Sequence, residues 1–134
     1  MRILLDSNAY SHLKRGHPRA ADIVRASEEV LLSPVVIGEL LYGFRRGSRL
    51  DRNLRELQAF IENPYVTVAP VGYTTADRYA RIAAALRAKG RPIPSNDIWI
   101  AAHALETGAD LLSADRHFAE IDGLAWMPLD SSGP

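Results

Sequence analysis

The chain reads as an α/β protein, with a mostly parallel central sheet covered by helices on both faces. Three observations predict this. The short continuous apolar runs Ile3-Leu4-Leu5, Val30-Leu31-Leu32 and Leu111-Leu112 have the character of strands buried on both sides. Segments with apolar residues at helical spacing lie between them, so strand and helix patterns alternate along the chain. Glycine and proline mark the changes from one pattern to the next.

The first strand ends at Asp6, and a short helix follows until Gly16, His17 and Pro18 interrupt it. Residues 19–27 form a second helix, and the strand Val30-Leu31-Leu32 is closed by Ser33 and Pro34. A helix over 35–44 repeats Val36, Leu40 and Phe44 on one face, with Ile37 and Leu41 beside them, and Gly47 stops it. Leu50, Leu54, Leu57 and Ile61 line the next helix, which Asn63 and Pro64 end. A strand over 65–69 precedes an Ala-rich helix over 75–89, with Gly90 as its C-terminal stop. Two prolines make 91–96 a loop; Ser95 and Asn96 are candidate caps for a helix over 97–107, which Gly108 ends. A strand at Leu111-Leu112, a short helix over 115–121 and a last strand over 124–127 complete the order.

A length of 134 residues suits one domain, expected over 1–129, with 130–134 as a disordered tail. The 47% apolar and 24% charged shares are ordinary for a globular protein. With no cysteine there is no disulfide and no thiolate metal site, which suits a reducing cytoplasm. No apolar run approaches the roughly 20 residues of a membrane-spanning helix. The N-terminus lacks the apolar stretch and small-residue site of a signal peptide, so a cytoplasmic protein without membrane attachment is expected.

The formal net charge is zero, and the total gives no sign of a nucleic-acid partner. The distribution says more. Fourteen of the sixteen basic residues are Arg, and Arg45, Arg46, Arg49, Arg52 and Arg55 fall within eleven positions. Arg suits bidentate phosphate contacts, which makes this run a candidate RNA-binding surface. A solvated helix face is the plainer reading of the same run.

Ligands of parallel sheets bind outside the carboxyl ends of the strands. Asp6 ends the first strand there, and Asp115 follows Leu111-Leu112-Ser113-Ala114. Asp97 stands in the first turn of its helix, and Glu39 lies about a turn into the helix after the second strand. Alone, each has a structural explanation: an Asp after a strand caps a helix, and an Asp in a first turn is favoured by the helix dipole. Together at one rim, carboxylates raise one another's pKa values or call for a cation. Magnesium suits an all-oxygen site, since it keeps several waters and takes one or two carboxylates plus substrate phosphate oxygens.

Four blocks carry a resemblance to a known family: ILLDSNAY, SPVVIGELLYGF, PSNDIWIAAHALETGADLLSADRHF and GLAWMPL. They span essentially the whole chain, and the sequence resembles the PIN-domain nucleases, in particular the VapC-type toxins of bacterial toxin–antitoxin pairs. The resemblance implies a three-layer α/β/α domain with an acidic pocket at the carboxyl edge of the sheet. It implies an endoribonuclease using Mg²⁺, with Mn²⁺ as a substitute, and structured RNA such as a tRNA or ribosomal loop as substrate. Asp6 and Asp97 match direct metal ligands; Asp115 and Glu39 complete the pocket, Asp115 also holding metal and Glu39 steering the attacking water. Ser113 stands where the family often has Thr or Ser and is expected to orient Asp115 or a water, while Asn8 is expected to support Asp6. A homodimer and a cognate antitoxin that blocks the pocket are the partners implied.

Other readings fit the same acids: a metal-dependent phosphatase or DNA nuclease of related geometry, or a non-catalytic acidic module that docks a basic partner. A zinc hydrolase does not fit, because His12 and His17 are not spaced as a metal pair and zinc prefers His or Cys ligands. His103 is expected to pack or face solvent, and His117 to be exposed or capping. Trp99 and Trp126 sit in apolar patterns and are expected in the core.

Overall fold

Strands buried on both faces satisfy their backbone groups only by pairing with one another, and the apolar runs do so. A computed structural model describes residues 1–130; residues 131–134 of the expected tail lie outside the described residues. The strands β1 (Arg2–Leu5), β2 (Glu29–Leu32), β3 (Val66–Val68), β4 (Asp110–Ser113) and β5 (Trp126–Pro128) form one sheet. Their order is β3-β2-β1-β4-β5, and each pairing is parallel. Leu4 stands opposite Leu31 on one side and Leu111 on the other. Ile3, Leu4 and Leu5 have no exposed surface, so β1 is the axis of the core.

The chain steps outward from β1 to β2 to β3, then returns to the other side of β1 for β4 and β5. The reversal leaves a switch point between the carboxyl ends of β1 and β4, where open parallel sheets place their ligands. Right-handed crossovers put the helices of the outward and return legs on opposite faces of the sheet. The outward leg carries α1 (Ser7–Lys14), α2 (Pro18–Ala26), α3 (Pro34–Arg46) and α4 (Leu50–Ile61). The return leg carries α5 (Tyr73–Lys89) and α6 (Ser95–Thr107), which pack along each other. This is the three-layer α/β/α arrangement. Among the described residues no helix is long and apolar enough to cross a membrane.

Several boundaries differ from the sequence reading, each for a local reason. The carbonyl of Pro94 already accepts from the N–H groups of Asp97 and Ile98, so Pro94 caps α6. Ser95 and Asn96 therefore lie inside the first turn and are not its caps. The element after β4 is a 3₁₀ turn, Arg116–Glu120, capped by Asp115. The last strand begins later than Leu124, whose N–H turns back toward the carbonyl of Ile121 and never joins the ladder. Trp99 and Trp126 are half-buried and stand at the margin of the core. Trp99 stacks on Tyr79 with ring centroids 4.3 Å apart, and Trp126, on an edge strand, donates its indole N–H to the Ser113 carbonyl.

Candidate active site

Five elements deliver polar side chains to the switch point. Asp6 leaves β1 in an extended conformation and caps α1, its Oδ1 accepting from the Ala9 N–H at 2.8 Å. Its Oδ2 accepts from the hydroxyl of Ser113, the last residue of β4. The Ser113 oxygen in turn accepts from the Asp115 N–H at 2.9 Å. One buried hydroxyl thus holds the ends of both strands and sets two acids at once. Asp6 is only 4% exposed. Burial pushes its carboxyl up to about 6 against the opposing pull of the Ser113 and Ala9 hydrogen bonds, and the charges of Asp97 and Asp115 push the same way as burial.

Asp115 caps the 3₁₀ turn through its Oδ1, which accepts from the His117 N–H at 2.9 Å. The turn folds the His117 ring back over the acids, with Nδ1 3.1 Å from both Asp97 Oδ2 and Asp115 Oδ1. Asp97, in the first turn of α6, is 16% exposed by its side chain. Burial raises its pKa first of all, the His117 hydrogen bond opposes this, and the Asp115 charge adds to the rise. The pKa of His117 is raised, chiefly by its hydrogen bond to Asp97.

Glu39 reaches the rim from α3. Its Oε2 accepts from the Asn96 side chain at 3.3 Å, next to Asp97, which ties α3 to the start of α6. Its Oε1 is buried and has no hydrogen-bond partner.

The sequence and the fold have counterparts among known proteins. The PIN domain profile matches residues 3–124. The chain belongs to the PIN domain family. It is 27% identical over 132 residues to ribonuclease VapC1 of Haemophilus influenzae, covering 95% of this chain and 97% of that one. It is 30% identical over 134 residues to ribonuclease VapC1 of Rickettsia felis, covering 98% of each. The structure of VapBC-1 from nontypeable Haemophilus influenzae superposes with a TM-score of 0.82 at 27% identity, over 96% of this chain and 98% of that one.

The acids of this PIN domain suit a divalent cation. Among the described residues no Arg or Lys forms an ion pair with Asp6, Glu39, Asp97 or Asp115. Carboxylates with raised pKa values and an orphaned buried Glu39 oxygen are what a hard cation relieves. Asp97, Asp115 and His117 offer donor atoms that all lie within 4.8 Å of one another.

The remaining expectations divide. Ser113 orients Asp115 as expected and also, less foreseeably, Asp6. Asn8 is exposed in the first turn of α1 and makes no hydrogen bond to Asp6, whose oxygens are taken by Ala9 and Ser113. Arg45, Arg46, Arg49, Arg52 and Arg55 are all outward-facing around the α3–α4 turn, none of them buried. Arg52 lies 3.9 Å from Glu56 and Arg46 sits over the Tyr42 ring; none of the five touches the acids. His103 is fully buried with Nε2 3.2 Å from the Pro70 carbonyl, so it packs. Sequence reasoning passed over His117 and Asn96 as members of the site. The signal for His117 was its place two residues after an acid that caps a turn.

Proposed function

We propose that this PIN domain is a metal-dependent endoribonuclease that serves as the toxin of a toxin–antitoxin pair, with Mg²⁺ as its ion and structured RNA, a tRNA or ribosomal loop, as substrate. The observation that carries the reading is that the charges of Asp97 and Asp115 act on Asp6 at the β1–β4 switch point while, among the described residues, no Arg or Lys pairs with any of the three. The ribonuclease names of the VapC1 relatives support the substrate class.

Asp6, Asp97 and Asp115 would hold the ion, which when bound activates water and stabilises the leaving oxygen of a phosphodiester. Ser113 and the Ala9 N–H would fix the orientation of the Asp6 carboxylate, one on each oxygen. Glu39, held at the rim by Asn96, would orient the attacking water and accept its proton. Because water is the nucleophile, the 2′-hydroxyl is not consumed, and DNA is rejected by fit alone. The arginines of the α3–α4 turn would lead the RNA backbone toward the acids.

The VapBC-1 likeness supports an antitoxin partner, and a homodimer is proposed beside it. An apolar groove of about 480 Å³ between α3 and α4, lined by Ile37, Leu41, Leu54, Leu57 and Ile61, offers a seat for an amphipathic segment of such a partner.

Purified protein incubated with total RNA, with Mg²⁺ or with chelator, tests the reading. Discrete cuts are expected with Mg²⁺ only. Asp6→Asn and Asp97→Asn should each lose far more than tenfold in rate, a factor worth only about 1.4 kcal/mol. Hydrolysis of simple phosphate esters without RNA cleavage would favour a phosphatase, and no binding of any divalent ion would leave an acidic docking module.

A further inference from the structure

We infer that His117 is a nitrogen ligand of the metal and tilts this site toward Mn²⁺ over Mg²⁺. The inference rests on the metal-dependent reading above and assigns a specificity role within that same site.

The spacing is that of neighbouring ligands. Two donors at right angles around an ion, with bonds of roughly 2.1 Å, stand about 3 Å apart. His117 Nδ1 lies 3.1 Å from Asp97 Oδ2 and 3.1 Å from Asp115 Oδ1. Nδ1 has room for one proton at most, so as a hydrogen-bond donor it serves two carboxylates imperfectly; as a lone-pair donor it completes a three-cornered set. The backbone also serves this geometry. Asp115 caps the turn that carries His117, so ligand and neighbouring ligand are fixed by one hydrogen bond.

Donor chemistry then sets the preference. Mg²⁺ is strictly oxygen-seeking and gives up its waters reluctantly, whereas the first-row divalent ions, of which Mn²⁺ is the weakest binder, accept an imidazole nitrogen more readily. Replacing one oxygen by Nδ1 therefore favours Mn²⁺ without excluding Mg²⁺. The other histidines lie outside this set: His12 and His17 pack edge to face with each other, and His103 is buried against the Pro70 carbonyl. A nitrogen coupled to the metal thus reports on His117.

The test uses the full chain loaded with Mn²⁺ alone, free of RNA. Electron spin-echo modulation of the bound Mn²⁺ should show coupling to ¹⁴N, lost in His117→Gln. In binding titrations that variant should weaken Mn²⁺ by at least about tenfold, the loss that even an outer-shell partner brings, and Mg²⁺ much less. His117→Asp should bind both ions without the nitrogen signal and reverse the preference. The side chain is 49% exposed, so matching melting curves in chelator should show that the variants fold. Bound Mn²⁺ with no nitrogen coupling in the wild type, or unchanged Mn²⁺ affinity in His117→Gln, overturns the inference and leaves the metal site standing. Binding of neither ion by the wild type overturns the inference together with the reading beneath it.

Discussion

Ser113 is the residue on which the site's geometry turns. Its hydroxyl has one proton, given to Asp6, and its oxygen takes the Asp115 N–H. Ser113→Ala strands a buried carboxylate oxygen and a backbone donor together. Leaving buried polar groups unpaired costs about 1–3 kcal/mol each, so denaturant unfolding should show a loss in that range or above it. An unchanged unfolding midpoint would mean that water replaces the hydroxyl. Asp6 gives the pH dependence. Its folded pKa of about 6 lies above the ordinary 3.8, so the folded chain holds a proton that the unfolded chain releases. Stability from this group is present at acid pH and falls as pH rises through that window, by up to about 3 kcal/mol in metal-free protein. The shifts of Asp97 and His117 have the same sign. In chelator, the stability difference between wild type and Asp6→Asn should therefore move against the wild type from about pH 4.5 to about pH 7; a flat difference would contradict the burial argument.

At the scale of elements, the helices were the most legible part of the sequence. Val36 and Leu40 repeat at helical spacing in α3 and are buried, Leu57 is the buried residue of α4, and Gly90 and Gly108 end α5 and α6 in left-handed conformations of φ 70° and 71°. The short edge strands β3 and β5 were harder, because a strand paired on one side needs no continuous apolar run. Asp6, Asp97 and Asp115 were legible because each ends or begins an element, whereas Glu39 lies about a turn into α3. His117 was not, because its ring is brought to the acids by a 3₁₀ turn that Asp115 caps, a geometry that α-helical periodicity does not foresee. The α3–α4 turn poses a question of its own, the purpose of its arginines. Changing Arg45, Arg46, Arg49, Arg52 and Arg55 to Gln should flatten the salt dependence of RNA binding, by about 0.7 to 0.9 in log–log slope for each phosphate no longer neutralised. An unaltered slope would assign the turn to solvent or to a protein interface.

For the whole molecule, the parallel order was readable from alternating patterns, but the strand order was not. Nothing in Leu111-Leu112 says that it pairs beside β1, and that pairing is what brings Asp6 and Asp115 to one place. The gathered charge has a measurable cost. Neutralising one acid, as in Asp97→Asn, should raise the stability of the metal-free protein by about 1 kcal/mol through relief of desolvation and repulsion. Millimolar Mg²⁺ should then stabilise the wild type, by about 2.7 kcal/mol at a hundred times its dissociation constant, and the variant much less. Melting curves in chelator and in Mg²⁺ read both effects; a variant that melts below wild type in chelator, with no Mg²⁺ shift in either protein, would show that the acids do not act as one pocket.

The Ser113–Asp6 hydrogen bond joins positions 107 apart in a chain of 134. A growing polypeptide therefore carries its first acid for nearly the whole of its synthesis with only the local Ala9 cap to hold it. Until Ser113 and Asp115 have left the ribosome and β4 has docked beside β1, there is no assembled centre to act on nearby RNA. Contacts of such long sequence separation also form late and slowly in folding. For the ribonuclease proposed above, the order in which its own parts arrive would spare the ribosome making it, and a fragment ending before β4 should be inert.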